Sequence, residues 1–355
     1  MCKSIPIVIP AYEPDERLIK LLEELKTNKL QPVIVVDDGS GEKYSDIFTQ
    51  AERLACDTGG IVLHHTENRG KGRALKTAFS YVLEHFPAAV GCVTADSDGQ
   101  HTVSCIERVG SALQEHPEKL ILGAREFDRE DIPWKSRFGN SVTEKVFAYV
   151  VGLHISDTQT GLRGIPAAFM RSLLDVKGER FEFETQMLLE SRNHYPILEV
   201  PIETIYESKD NHQTHFRPLA DSWKIYKLLG KQFLRYIISS LSSSVIDIAL
   251  FAVFCAVLKN LFPVVYVAVA TVLARVISAT YNYLINYKLV FTSEKRHAVS
   301  GVKYIILAIC QMALSAGLVT LGTWALHFIP EVVVKIVVDT LLFFVSYHVQ
   351  QKYVF

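Results

Sequence analysis

Asp96 and Asp98 stand two residues apart in TADSDGQH, at the end of the apolar run AAVGCV, so a turn there can aim both carboxylates into one cavity. Such a pair suits a hard divalent cation. Mg²⁺ or Mn²⁺ takes oxygen ligands and completes its shell with water and substrate phosphates, which fits a nucleoside diphosphate better than an all-protein structural site. An isolated Asp-x-Asp is also a common solvated turn, and His101 just after it reads as a turn or core histidine or as a phosphate or sugar contact. A second acidic pair, Asp37 and Asp38, closes the run VIVV before Gly39 and Ser40. One carboxylate there can meet a ribose or base while the other caps a helix, and Asp37 is the one expected to bind.

Basic and polar groups elsewhere could complete such a pocket. NRGKGRA at 68–74 is neither the dinucleotide fingerprint nor the full phosphate loop, so Lys71 or Arg73 either approaches a phosphate or starts a solvated helix. Arg125, Arg129 and Arg137 offer phosphate charge compensation. Asp157, Gln159 and Arg163 surround a turn at Gly161, where they close a polar pocket or satisfy the turn. FEFET places Glu182 and Glu184 among aromatics, and the pattern alone does not rank them.

The elements that must position these groups are short β-branched runs alternating with helical patterns. IPIVIP at 5–10, an amphipathic stretch from Asp15 to Thr27, PVIVVDDGS at 32–40 and GIVLHHT at 60–66 read as β-α-β with a parallel sheet. In such sheets ligands sit beyond the carboxyl ends of the strands, so Pro10–Glu13, Asp37–Ser40 and Asp96–Gln100 are expected to converge.

Charge divides the 355 residues into two parts. Residues 1–234 carry 28 Lys and Arg with 34 Asp and Glu, an ordinary soluble composition, whereas residues 235–355 carry only 9 and 4. The first part is net negative and lacks the basic surface that nucleic-acid binding needs. No CxxC pair marks a zinc cluster or a disulfide framework, and the N-terminus breaks at Pro10 before a signal-peptide core forms. Four apolar segments, near 237–258, 264–286, 303–325 and 332–350, each approach the length of a membrane span. Arg235, the Lys288–Lys303 connection and Lys352 put both ends and the middle loop in the cytoplasm. YNYLINYKLVF at 281–291 aligns with VSYHVQQKYVF at 345–355 over an offset of 64 residues, which favours two related hairpins. Asp247, Arg275, Lys335 and Asp339 within these segments should pair or face protein, and a helix near 139–152 has an interfacial pattern.

Taken together and in order, IPAYEP, VVDDGS, NRGKGRA, TADSDGQH, GAREF, DTQTGLRG, FEFETQML and VPIETIY resemble the polyisoprenyl-phosphate glycosyltransferases of the dolichyl-phosphate mannose synthase type, within family 2 of the glycosyltransferases. The tail resembles a GtrA-like membrane domain. Relative to the family's DADLQH, Gly99 replaces leucine while Asp96, Asp98, Gln100 and His101 match. The resemblance implies an α/β fold, a GT-A Rossmann-like glycosyltransferase domain followed by a four-helix transmembrane domain. The expected bounds are 1–215 for the catalytic domain, 216–236 for a juxtamembrane segment and 237–355 for the membrane domain.

The resemblance further implies that Pro10, Tyr12, Glu13, Asp37 and Asp96 hold the nucleotide, and that Asp96, Asp98 and Gln100 hold Mg²⁺ or Mn²⁺. Arg125 and Arg137 would meet the donor diphosphate and lipid phosphate, with Asp157, Gln159 and Arg163 around the reacting groups. The implied partners are a nucleotide sugar (GDP-mannose or UDP-glucose), a polyisoprenyl phosphate and membrane lipid, with no nucleic acid and with homo-oligomerisation left open. The expected location is the cell membrane, multi-pass, with the catalytic domain and both termini cytoplasmic. A lipid-linked sugar flippase or scaffold with a regulatory soluble domain remains an alternative. So does a processive polysaccharide synthase, although the QxxRW signature of that class is absent after FEFET.

Overall fold

The computed structural model describes residues 5–125, 148–149, 152–153, 155–192, 194–203, 218–260, 264, 266–291, 293, 296–325 and 330–355. Arg129, Arg137, most of the segment 139–152 and the 215/216 boundary lie outside the described residues. The chain folds as two units, Met1–Ala148 with Leu153–Tyr226, and Tyr149–Gly152 with Lys227–Phe355.

In the first unit, β1 (Ile7–Ala11) and β2 (Val33–Asp37) are apolar along most of their length because both faces of the sheet are covered. Between them α1 (Glu16–Thr27) is started by Asp15, whose carboxylate accepts the Arg17 amide, and it buries Leu18, Leu21, Leu22 and Leu25 at the spacing of one helical face. α2 (Ser45–Asp57), β3 (Ile61–His64), α3 (Lys71–His85), β4 (Gly91–Thr94), α4 (Val103–Glu115) and β5 (Leu120–Arg125) continue the alternation. β6 (Arg163–Pro166), α5 (Ala167–Leu174), α6 (Glu182–Ser191) and β7 (Ile197–Ile202) follow.

The seven strands are ordered β3-β2-β1-β4-β6-β5-β7. β1, β2, β3 and β4 pair in parallel, as does β5 with β7, but β6 inserts antiparallel between β4 and β5. The sheet is therefore mixed where the alternation pattern predicts a parallel one. β6 is the four-residue RGIP, too short to announce its direction. In register, Ala11 pairs with Asp37 and Asp37 with His64, which aligns the carboxyl ends of β1, β2 and β3.

The second unit contains α7 (Pro218–Leu258), α8 (Tyr266–Ile285), α9 (His297–Ala325) and α10 (Glu331–Val349), of which α7 begins before the division of units. Gly230–Leu258 of α7 and the whole of α9 are each 29 residues long, with mean hydropathy 2.3 and 2.0, sufficient to cross a bilayer. Among the described residues these two meet that test. Leu234, Ile238, Leu241, Val245 and Ile248 form an exposed stripe along α7 at spacings of three and four, the pattern of a lipid-facing helix.

The two copies of the internal repeat meet in this unit. α8 and α10 each end in a π-helical turn, at Asn286–Val290 and Gln350–Val354. The Asn286 side-chain amide donates to Gln350 Oε1 at 3.0 Å, and Phe291 stacks on Phe355 with centroids 5.1 Å apart. Both pairs join residues 64 apart, the offset of the sequence repeat. Among the charges carried by the apolar segments, Arg275 pairs with Asp247 at 3.1 Å and Asp339 accepts from Ser315 at 2.6 Å. The side chain of Lys335 lies outside the described residues.

Candidate active site

The end of β1 turns sharply. Glu13 adopts a left-handed φ of 50°, and its amide donates to Ser40 Oγ at 2.8 Å, tying the Pro10–Glu13 segment to the end of β2. Burial, then a hydrogen bond with Glu13, pushes the Tyr12 phenol above its ordinary value. Asp37 accepts the Ser40 amide at 2.9 Å through Oδ1 and faces His64 Nδ1 at 3.0 Å through Oδ2.

Asp38, only 2% exposed, turns to the next loop. Its two oxygens accept the Arg69 amide at 3.0 Å and the Gly70 amide at 2.7 Å, and His65 Nδ1 lies 2.8 Å away. The loop NRGKG is thereby clamped. A Cβ at Gly70 would fall 2.4 Å from Glu179 O, and one at Gly72 2.6 Å from Phe183 Cβ, so the glycines on either side of Lys71 let this backbone dock on the segment entering α6.

Docking delivers Lys71 to the acidic pair. Its ammonium lies 2.7 Å from Asp96 Oδ1 and 3.0 Å from Glu184 Oε1. The other Asp96 oxygen faces His101 Nε2 at 3.4 Å, and His101 is 5% exposed with its Nδ1 buried and unpartnered. A Cβ at Gly161 would stand 2.1 Å from Asp96 Oδ2, so the DTQTG loop needs glycine where the carboxylate packs on it. Asp98 Oδ1 accepts the Gln100 amide at 3.1 Å.

These contacts separate the two carboxylates electrostatically. Burial alone would raise the Asp96 pKa, but the charges of Lys71 and His101 hold it far below the ordinary range. Asp98 goes the other way, pushed up first by burial and then by the negative charge of Asp96. Lys71 is held well above its ordinary value because Asp96 and Glu184 overcome its desolvation.

The remaining sequence-predicted residues form a second group. Arg125 at the end of β5 grips Asp157 through two bonds, Nε to Oδ2 at 2.6 Å and Nη2 to Oδ1 at 3.0 Å. Asp157 is fully buried and also accepts the Gln159 amide at 3.1 Å, while Gln159 itself is exposed. Arg163 is 1% exposed, with Nε donating to Thr160 O and Nη1 to Glu184 O at 2.9 and 2.7 Å. It thus ties the DTQTG loop to α6. Glu184 and Glu182, unranked by pattern, separate: Glu184 binds Lys71, whereas Glu182 accepts the Glu179 and Arg180 amides at the start of α6. Sequence reading missed the roles of Lys71, Asp38 and Gly161, and the paired glycines of GKG were the available sign of a close approach.

Acidic groups at the carboxyl ends of a mixed α/β sheet, followed by a helical region, define a GT-A-like domain of Rossmann type joined to a membrane domain. The chain belongs to the family described as glycosyl transferase family 2, whose model matches residues 7–175, and its residues 235–355 match the GtrA/DPMS transmembrane domain. An uncharacterized protein of Methanocaldococcus jannaschii is 30% identical over 208 residues, covering 57% of this chain and 82% of that protein. The UDP-N-acetylglucosamine–dolichyl-phosphate N-acetylglucosaminyltransferase of Methanococcus voltae is 28% identical, over 58% of this chain and 86% of the relative. The human dolichyl-phosphate beta-glucosyltransferase is 27% identical, over 52% and 62%.

Proposed function

We propose that this protein transfers a hexose, mannose or glucose, from a nucleotide sugar to a polyisoprenyl phosphate with inversion, making a lipid-linked monosaccharide. The observation that carries the reading is the placement of Asp96, Asp98 and Lys71 at the strand ends of a family 2 domain in a chain that also has a GtrA/DPMS transmembrane domain. The names of the archaeal and human relatives, which specify dolichyl phosphate, support the acceptor class. Those names specify N-acetylglucosamine and glucose as the sugars, while mannose rests on the motif resemblance.

In this reading Pro10, Tyr12, Glu13 and Asp37 receive the nucleotide. The donor set fits a hard divalent cation, since Asp98 is a carboxylate whose ionisation burial and Asp96 oppose, and added positive charge relieves that conflict. Asp98, with Asp96 and Gln100 beside it, would hold Mg²⁺ or Mn²⁺, which supplies charge neutralisation to the departing diphosphate. A lipid phosphate oxygen forms the new bond to the anomeric carbon as the bond to the nucleoside diphosphate breaks on the opposite face. The acceptor is already anionic near neutrality, so no strong base is required of the chain. Arg125 and Arg137 serve the phosphates, with Asp157, Gln159 and Arg163 ordering the loop around them. The domains run 1–215, 216–236 and 237–355, the last crossing the cell membrane four times with both termini and the catalytic domain cytoplasmic.

The test is incubation of the purified protein with a panel of nucleotide sugars, a polyprenyl phosphate and Mg²⁺ or Mn²⁺, followed by mass spectrometry of the lipid fraction. A single glycosylated lipid phosphate is expected. Donor hydrolysis without a glycolipid, across every pair, would overturn the reading.

A further inference from the structure

One lysine, Lys71, contacts two carboxylates, Asp96 and Glu184, while Asp98 stands two residues along the chain from Asp96 and accepts the Gln100 amide; among the described residues no three acidic, histidine or cysteine groups are gathered as a ready-made metal site. Lys71 Nζ lies 2.7 Å from Asp96 and 3.0 Å from Glu184, with the three side chains 18%, 29% and 13% exposed. The contact is built rather than incidental. Asp38 anchors the two amides before Lys71, and the flanking glycines permit a backbone approach that any Cβ would block. On the far side, Arg163 holds the Glu184 carbonyl, and Gly161 leaves room for the Asp96 carboxylate.

We propose that Lys71 is a positioning residue: held between Asp96 and Glu184, its ammonium withdraws both carboxylates from cation binding, reserves Asp98 as the group that meets the divalent cation, and keeps cation affinity low until a nucleotide diphosphate arrives. This rests on the transferase reading for the identity of the donor, but the cation part can be measured without any donor. An ammonium beside an acidic pair opposes a dication by charge and by occupying a ligand oxygen. Removing it should strengthen cation binding while releasing Asp96 from its fixed geometry. Neutralising Glu184 should do the reverse, because Lys71 then compensates Asp96 alone. A lysine that merely supported the fold would weaken cation binding when removed.

The experiment is Mn²⁺ titration of the full-length protein in detergent, read by electron paramagnetic resonance without nucleotide, for wild type, Lys71→Met, Glu184→Gln and the double variant. Lys71→Met should bind Mn²⁺ about tenfold more tightly, Glu184→Gln several-fold more weakly, and the double variant should return toward wild type. Sugar transfer should fall about a hundredfold in Lys71→Met because Asp96 is no longer fixed. Unchanged or weaker Mn²⁺ binding in Lys71→Met overturns the proposal. If that variant does not fold, Glu184→Gln decides alone, and unchanged or tighter binding there overturns it. Should the opposite shifts appear in a protein that glycosylates no lipid, the transferase reading falls and Lys71 keeps its role. Transfer by wild type without the shifts has the opposite meaning.

Discussion

Asp37–Asp38 and Asp96–Asp98 are both acidic pairs delivered by the carboxyl end of a parallel strand, yet the fold treats them differently. The first pair is met by the Ser40, Arg69 and Gly70 amides and by two histidines. The second is met by a lysine that reaches Asp96, while Asp98 accepts the Gln100 amide. A carboxylate satisfied by backbone amides is a structural clamp. One that burial and a like charge hold in an unfavourable ionised state is ready to receive a cation. Residue type and strand-end position are shared, so it is the partners that distinguish the two pairs.

The contrast is broken most severely at Asp98. Asp98→Asn should lower sugar transfer about a thousandfold or more, the scale expected when charge stabilisation of a leaving group is lost. Its folding should not suffer. Because the folded-state pKa of Asp98 is raised, its ionised form opposes folding above the unfolded pKa, and asparagine removes that opposition. The melting temperature near neutrality should therefore stay the same or rise. A large fall in stability would show Asp98 to be a structural group like Asp38.

At Asp38 the expectation is inverted. Asp38→Ala leaves the Arg69 and Gly70 amides and His65 without their acceptor in a site 2% exposed. The loss should be about 3 kcal/mol, from stranded buried donors as much as from the missing bonds. Transfer should fall with it, since the released loop carries Lys71. Thermal denaturation beside circular dichroism measures the first effect, and normal stability would show that the loop holds without its clamp.

Much of the first unit was legible because its signals are local. Apolar strands, the Asp15 start of α1 and the leucine spacing after it all depend on near neighbours. The strand-end placement of Asp37 and Asp96 followed from the general behaviour of α/β sheets. What escaped depends on depth and on partners far along the chain. For Arg163 the pattern leaves open a pocket or a turn, and its burial against residues 160 and 184 is something no spacing rule reports. Arg125 and Asp157 were each placed at the pocket, yet 32 residues apart they grip each other. Lys71 reads as a phosphate contact or a solvated helix start, and neither names its carboxylates because both arrive from distant strands and helices. In the second unit the repeat was legible as a 64-residue offset, and the four apolar segments correspond to four helices, of which two meet the length and hydropathy test among the described residues.

The smallest expected effect sharpens the comparison at Asp37. His64 lies 3.0 Å from both Asp37 and Glu52, with 43% of its side chain exposed. Burial pulls its pKa down, but the hydrogen bonds to those two carboxylates outweigh it, and the net shift is upward from 6.5. A raised histidine pKa contributes stability that is fully present below the unfolded value and is lost as pH rises through the folded value. The melting-temperature gap between wild type and His64→Gln should therefore be widest below the unfolded value of 6.5 and narrow as pH rises past it. Exposure keeps the gap small, and added salt should shrink it further. A gap independent of pH and salt would mean that the edge-on packing of His64 against Phe48, with centroids 5.7 Å apart, matters more than its charge. Asp37 would then be held by neutral contacts alone, and the two acidic pairs would differ even more than their geometry indicates.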